Sequence, residues 1–150
     1  MNYQIPYFGD INAAALEVNY QSEIELKGQE VSIDLTFDNK TAGEHTIEKL
    51  ISLLNKIVAI EAQNSLLIKN DFDNGGDAAD YIKAFSKKIP DASALQLLDK
   101  LELMQISLFP DSEDPFVQFD YYIPLTELHS QLLTVRLNEV GELEHIAWES

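Results

Sequence analysis

Two stretches of strict alternation joined by one short turn constrain this chain more than any other feature. Val18, Tyr20, Ser22, Ile24 and Leu26 alternate with Asn19, Gln21, Glu23, Glu25 and Lys27. Val31, Ile33, Leu35 and Phe37 then alternate with Ser32, Asp34, Thr36 and Asp38. A period of two marks a half-buried strand, because successive side chains point to opposite faces. Lys27, Gly28, Gln29 and Glu30 leave room only for a tight turn, with Gly28 in a left-handed conformation. The pair is an antiparallel hairpin. One face is aliphatic and aromatic, and the other carries Glu23, Glu25, Asp34 and Asp38. A shorter strand is expected around Tyr3 to Phe8, with Gly9 and Asp10 turning the chain.

The pattern then changes period. Ile47, Leu50, Ile51, Leu54, Ile57 and Val58 fall at helical spacing, with Leu53 and Ile60 widening the stripe. Thr41 or Gly43 is expected to start this helix. The stripe fades near Asn64, and Leu66, Leu67 and Ile68 either continue it or open a second piece. Asp71 to Asp77 reads as a loop around Gly75-Gly76. Asp77 is the expected cap of a helix carrying Ala78, Ile82, Phe85 and Ile89, which Pro90 ends. Asp91 is the expected cap of a short helix through Ala94 to Leu98.

The last third returns to period two. Leu101 and Leu103 change phase with Met104, Ile106 and Leu108, which implies a bulge or a late strand start. Pro110 to Pro115 is an acidic loop. Val117, Phe119, Tyr121 and Ile123 form an inward row, leaving Asp120 and Tyr122 outward. Leu133, Val135 and Leu137 repeat the alternation. Asn138 to Gly141 turn the chain, and Leu143 to Trp148 form a last strand, again with a phase slip. Runs of strands, then helices, then strands imply an α+β class. The expected architecture is one domain over residues 1–150. An antiparallel sheet of about six strands, built from the N-terminal hairpin and a C-terminal meander, has the central helical segment packed on one face.

Charge narrows the functional classes. Twenty-six acidic residues stand against ten basic ones, a formal net charge of −16 over 150 residues. Such a surface repels nucleic acid and anionic membranes and attracts basic partners. The 45% hydrophobic share supports a real core and argues against disorder. There are no cysteines, so disulfides and thiolate metal sites are excluded. Met1 to Asp10 lacks the basic and apolar regions of a signal peptide, and no apolar run reaches the ~20 residues that span a bilayer. The expectation is a cytoplasmic protein with no nucleic-acid or membrane partner.

No catalytic set emerges from spacing. His45, His129 and His145 are far apart and carry no metal-ligand pattern. Gly75-Gly76 lacks the Lys-Ser or Lys-Thr of a phosphate loop, and there is no Gly-x-Ser-x-Gly. The sharpest local cluster is Asp71, Asp73 and Asp77. Carboxylates at alternate positions before glycine are how a calcium loop begins, although Ile82 stands where such a loop needs a bidentate glutamate. Structurally, the same residues serve as a polar loop and a helix cap. Lys83 and Lys87 share a helix face but are outnumbered by acids. Phe119, Asp120, Tyr121 and Tyr122 cluster aromatics on one strand. An outward Tyr122 beside acids suits a protein-binding surface, since aromatics anchor interfaces, and equally suits a cross-strand pair.

Tyr7-Phe8-Gly9, the hairpin segment Val31 to Phe37, Phe119-Asp120-Tyr121 and the closing Gly141 to Ser150, with its terminal Trp148-Glu149-Ser150, together resemble a bacterial family known as the domain of unknown function number two-thousand-and-four. The family carries no established activity and no accepted catalytic residues, so the resemblance transfers none; no cofactor is expected. In type, acidic single-domain proteins of this size also resemble immunity proteins that neutralise basic toxins. The expected function is non-enzymatic binding of a basic protein partner through Glu23, Glu25, Asp34, Asp38, Asp120 and Tyr122. A module binding calcium or another cation through Asp71, Asp73 and Asp77 is the alternative.

Overall fold

A computed structural model describes residues 1–112, 115–124 and 131–149. The elements are β1 (Asn2–Ile5), β2 (Gly9–Asn12), β3 (Asn19–Leu26), β4 (Gln29–Thr36), α1 (Glu44–Asn55), α2 (Ile57–Asp73), α3 (Asp77–Ser86), α4 (Ala94–Asp99), β5 (Glu102–Leu108), β6 (Val117–Tyr122), β7 (Leu132–Leu137) and β8 (Leu143–Glu149). Strands β3 to β8 form one six-stranded sheet in sequence order, and β1 pairs with β2 alone. The helices pack on one face of the large sheet, which makes the fold α+β.

The hairpin β3–β4 forms where alternation predicts it, with Leu26 opposite Gln29. Its two turn residues, Lys27 and Gly28, have φ of 52° and 78°. Positive φ at both positions matches the twist of the flanking strands, and glycine takes one of them without steric cost. Ile24, Leu26, Val31, Ile33, Leu35 and Phe37 are buried on the helix side. Ile106, Leu108, Val117, Phe119, Leu133, Val135 and Leu137 continue that layer. Ile47, Leu50, Leu54, Ile57, Tyr81, Ile82 and Phe85 meet it from the helices. The two expected phase slips are register shifts, one between Leu103 and Gln105 in β5 and one where Arg136–Leu137 faces His145–Leu143.

Five local expectations change. β4 and β5 run parallel, with Ser32 opposite Gln105 and Leu35 opposite Leu108. Alternation specifies a face but no partner, and a return through four helices delivers the chain alongside its departure strand in the same direction. Gly9 and Asp10 begin β2 instead of turning the chain, and the turn is Pro6 to Phe8. The expected single long stripe is two helices broken at Lys56, and α2 runs through Asn64 to Asp73. Ser93 caps α4, where Asp91 was expected. The Ser93 hydroxyl accepts Gln96 N–H at 3.2 Å and the Gln96 side chain accepts Ser93 N–H at 2.8 Å, a reciprocal capping box. The cap of α3 also differs from expectation. Among the described residues, no helix is long and apolar enough to cross a membrane.

Candidate functional site

The sheet face turned away from the helices is a ladder of polar rows. Glu23, Ser32, Gln105, Asp120 and Thr134 stand opposite one another across β3 to β7. The next row holds Gln21, Asp34, Ser107, Gln118, Arg136 and His145. Glu25 faces Glu30 at the turn end of the hairpin. The register therefore brings Glu23, Glu25, Glu30 and Asp34 together on two neighbouring strands. Asp38 lies beyond the opposite end of β4. At roughly 7 Å per two-residue repeat, it stands about 28 Å from Glu25 along the hairpin, since Glu25 faces Glu30.

The acids on this face differ in availability. Glu23, Glu25, Glu30 and Asp38 are exposed. Asp34 is partly buried and accepts Gln105 Nε2 at 2.7 Å. The Glu30 carboxyl is held above its ordinary range, first by a hydrogen bond with Glu23 and then by that residue's charge. Arg136, the cation at the centre of the face, gives Nη2 to Glu149 at 2.6 Å and Nε to Gln118 at 3.2 Å.

Asp120 departs from the expectation of a solvated acid. Its side chain lies on the polar face by register, yet it is 8% exposed. The Thr134 hydroxyl donates to it at 2.8 Å and Gln118 Nε2 at 3.1 Å. Burial pushes its carboxyl up, and those hydrogen bonds with the Arg136 charge oppose the shift. Alternation separates the faces of a strand, but it does not show that long neighbours on a central strand cover a short acid. Tyr122, half-buried, faces Glu102 across the β5–β6 ladder.

The acidic loop is divided among three separate structural tasks. Asp71 and Asp73 lie in the last turn of α2, and the loop proper is shorter than expected. Asp71 Oδ2 accepts Ala78 N–H at 2.8 Å, so it caps α3 across the loop. The cap residue by position is Gly76, which has no side chain to do this. Asp73 pairs with Lys69 one turn back at 2.7 Å. Asp77, the expected cap, accepts Trp148 N–H at 3.1 Å and so ties α3 to edge strand β8. The Trp148 ring meets Tyr81 edge to face at 6.1 Å, and its Nε1 donates to Gln131 at 2.7 Å. The three carboxylates do not converge. Among the described residues, no group of three His, Cys, Asp or Glu side chains is placed to hold a metal ion. His45 and His145 are exposed, and His129 lies outside the described residues.

Sequence reasoning missed a second polar cluster, on the helix side of the sheet. Glu61 and Asn64 are buried on α2 and meet the Tyr121 hydroxyl from β6. Asn64 Nδ2 donates to that hydroxyl at 2.9 Å, and the hydroxyl donates to Glu61 Oε1 at 3.4 Å. Burial raises the Tyr121 hydroxyl well above its ordinary pKa, and the Glu61 charge adds to this. The cluster opens into a cleft of about 560 Å³ bounded by the hairpin tip, α2 and the α4–β5 corner. The signal was the fading of the apolar stripe near Asn64: two polar residues occupy positions that helical spacing assigns to the core.

No family model, curated protein or solved structure matches this chain.

Proposed function

We propose that this chain is a non-enzymatic binding domain that presents the Glu23–Glu25 end of its polar sheet face to a basic protein partner. One observation carries the reading. Four ion pairs join described residues, Lys27–Glu61, Lys49–Glu139, Lys69–Asp73 and Arg136–Glu149, and none involves Glu23, Glu25, Glu30, Asp34 or Asp38. Like charges across a hairpin are mutually destabilising, and here Glu23 holds the Glu30 carboxyl above its ordinary range by a hydrogen bond and by its charge. A cationic surface answers that repulsion and gains orientation and association rate from it. Asp38 and Tyr122 extend the reading to the far end of β4 and to β6. Asp120, hydrogen-bonded to its neighbours, positions the centre of the face and makes no direct partner contact in this proposal. A protein that neutralises a basic toxin is the most specific form of this function.

The test is retention of host proteins at low and high salt by the wild-type chain and two charge-reversed variants. Glu23→Lys with Glu25→Lys reverses the face, and Glu48→Lys makes a reversal elsewhere, at an exposed position of α1. A basic protein held by wild type and Glu48→Lys, released by salt and lost from the double variant, is the expected result. Equal retention by all three would overturn the proposal.

A further inference from the structure

We propose that the cleft over Glu61 is a binding site for an aliphatic ammonium group, carried by a small molecule or by a lysine side chain. This inference goes beyond the acidic-face reading and uses residues on the opposite side of the sheet. The cleft's volume, about 560 Å³, lies within the range of small-ligand pockets. The apolar part of its lining comes from Leu26 and Val31 of the hairpin, Ile68 of α2, Leu98 of α4, and Leu101 with Leu103 at the entry to β5. Its polar lining includes the Glu61 carboxylate and the Tyr121 hydroxyl.

The carboxylate determines the class of ligand. The Glu61 side chain is 6% exposed, and a charge taken out of water requires close, well-directed partners. Its contacts do not meet that requirement. The Tyr121 hydroxyl reaches it at 3.4 Å, and Lys27 Nζ stands 3.9 Å away on a side chain 69% exposed to solvent. Asn64 Oδ1, buried beside Tyr121, has no hydrogen-bond partner among the described residues. Asn64 lies behind Tyr121 and outside the lining, so within the cleft the acceptor left short of close donors is the Glu61 carboxylate. Of the two lysines in the lining, Lys69 is held by Asp73 at 2.7 Å, while Asp99 and Glu102 add negative charge. An anionic ligand would face Glu61, and Lys27, 3.9 Å from that carboxylate, is already its ion-pair partner. An ammonium supplies donors to that carboxylate, and a chain of methylenes behind it lies along the apolar part of the lining.

The experiment titrates hexylamine, 1-hexanol and hexanoate into isotopically labelled protein and follows the Asn64 side-chain amide and the Tyr121 ring by NMR. Saturable shifts with hexylamine, roughly tenfold tighter than with 1-hexanol, are expected. Octylamine should bind tighter by about fourfold per added methylene. Glu61→Gln should reduce hexylamine to the level of 1-hexanol. Nα-acetyl-lysine methylamide separates the two sources: tighter binding than hexylamine assigns the ammonium to a lysine side chain, and weaker binding assigns it to a free amine. Three results would overturn the proposal: no saturable shift with any amine, hexanoate binding as well as hexylamine, or unchanged hexylamine binding by Glu61→Gln. The ranking of the three headgroups in the unaltered chain decides the matter if Glu61→Gln does not fold. Loss of the acidic-face partner has no bearing on this titration.

Discussion

Removing the Asp71 carboxylate tests whether α3 is capped from the preceding helix. An N-cap side chain satisfies one of the free amides of the first turn, and its loss costs about 1 kcal/mol, within a range of roughly 0.5–2. Asp71 also places negative charge at the positive end of the α3 dipole, which contributes about 0.3–1 kcal/mol more. Asp71→Ala should therefore cost about 1.5 kcal/mol. Gly76 gives an independent handle on the same contact. A Cβ built there would lie 2.3 Å from Asp71 Oδ1, so Gly76→Ala must expel that carboxylate. Once Asp71 is alanine, the obstacle is gone. The Gly76 backbone, at φ −80° and ψ −163°, is one that alanine adopts freely. In that background Gly76→Ala should be neutral or gain about 0.4–1 kcal/mol through the unfolded chain. The double variant is then no less stable than either single one, a coupling of about 1.5 kcal/mol or more. With a urea slope near 2 kcal/mol/M, each single substitution lowers the midpoint by about 0.7 M, and the pair lowers it no further. A double-variant shift equal to the sum of the two single shifts would refute the cap.

Two further perturbations test the buried polar groups. Asp120 is an acid whose folded-state pKa lies above its ordinary 3.8. The folded chain thus binds that proton more tightly, and stability falls as pH rises from 3.8 through the raised value. Asp120→Asn should be more stable than wild type at neutral pH, with the difference vanishing in acid; urea midpoints across pH read this, and a gain independent of pH would contradict it. Tyr121→Phe leaves Asn64 Nδ2 buried without its acceptor. The expected cost is about 1–3 kcal/mol, and an unchanged urea midpoint would show that the amide finds another partner.

Most of the architecture was legible because strand and helix periods are local properties. The rows Val31 to Phe37 and Val117 to Ile123 face the core where their alternation places them. The phase change at Met104 appears as a register shift. The break at Lys56 was not legible, because Leu54, Ile57 and Ile60 hold the helical spacing straight across it and all three are buried. The outer-face residues were legible as a set of positions. Their differing availability was not, since Asp120 and Glu23 share one row and differ only in what their neighbours cover.

By itself, the sequence determined the α+β class, the two faces of β4, β6 and β7, the turn at Gly28 and the excess of negative charge. Each of these follows from spacing or counting along the chain. Tertiary structure decided which strands meet, and so made β4 and β5 parallel. It turned Asp71 from a loop acid into the cap of α3 and Asp77 into a tie to β8. It also placed Glu61, Asn64 and Tyr121 together, although Tyr121 lies 60 residues from Glu61 and 57 from Asn64. Contacts across such separations depend on how helix and sheet surfaces pack, and no local repeat along the chain encodes that packing.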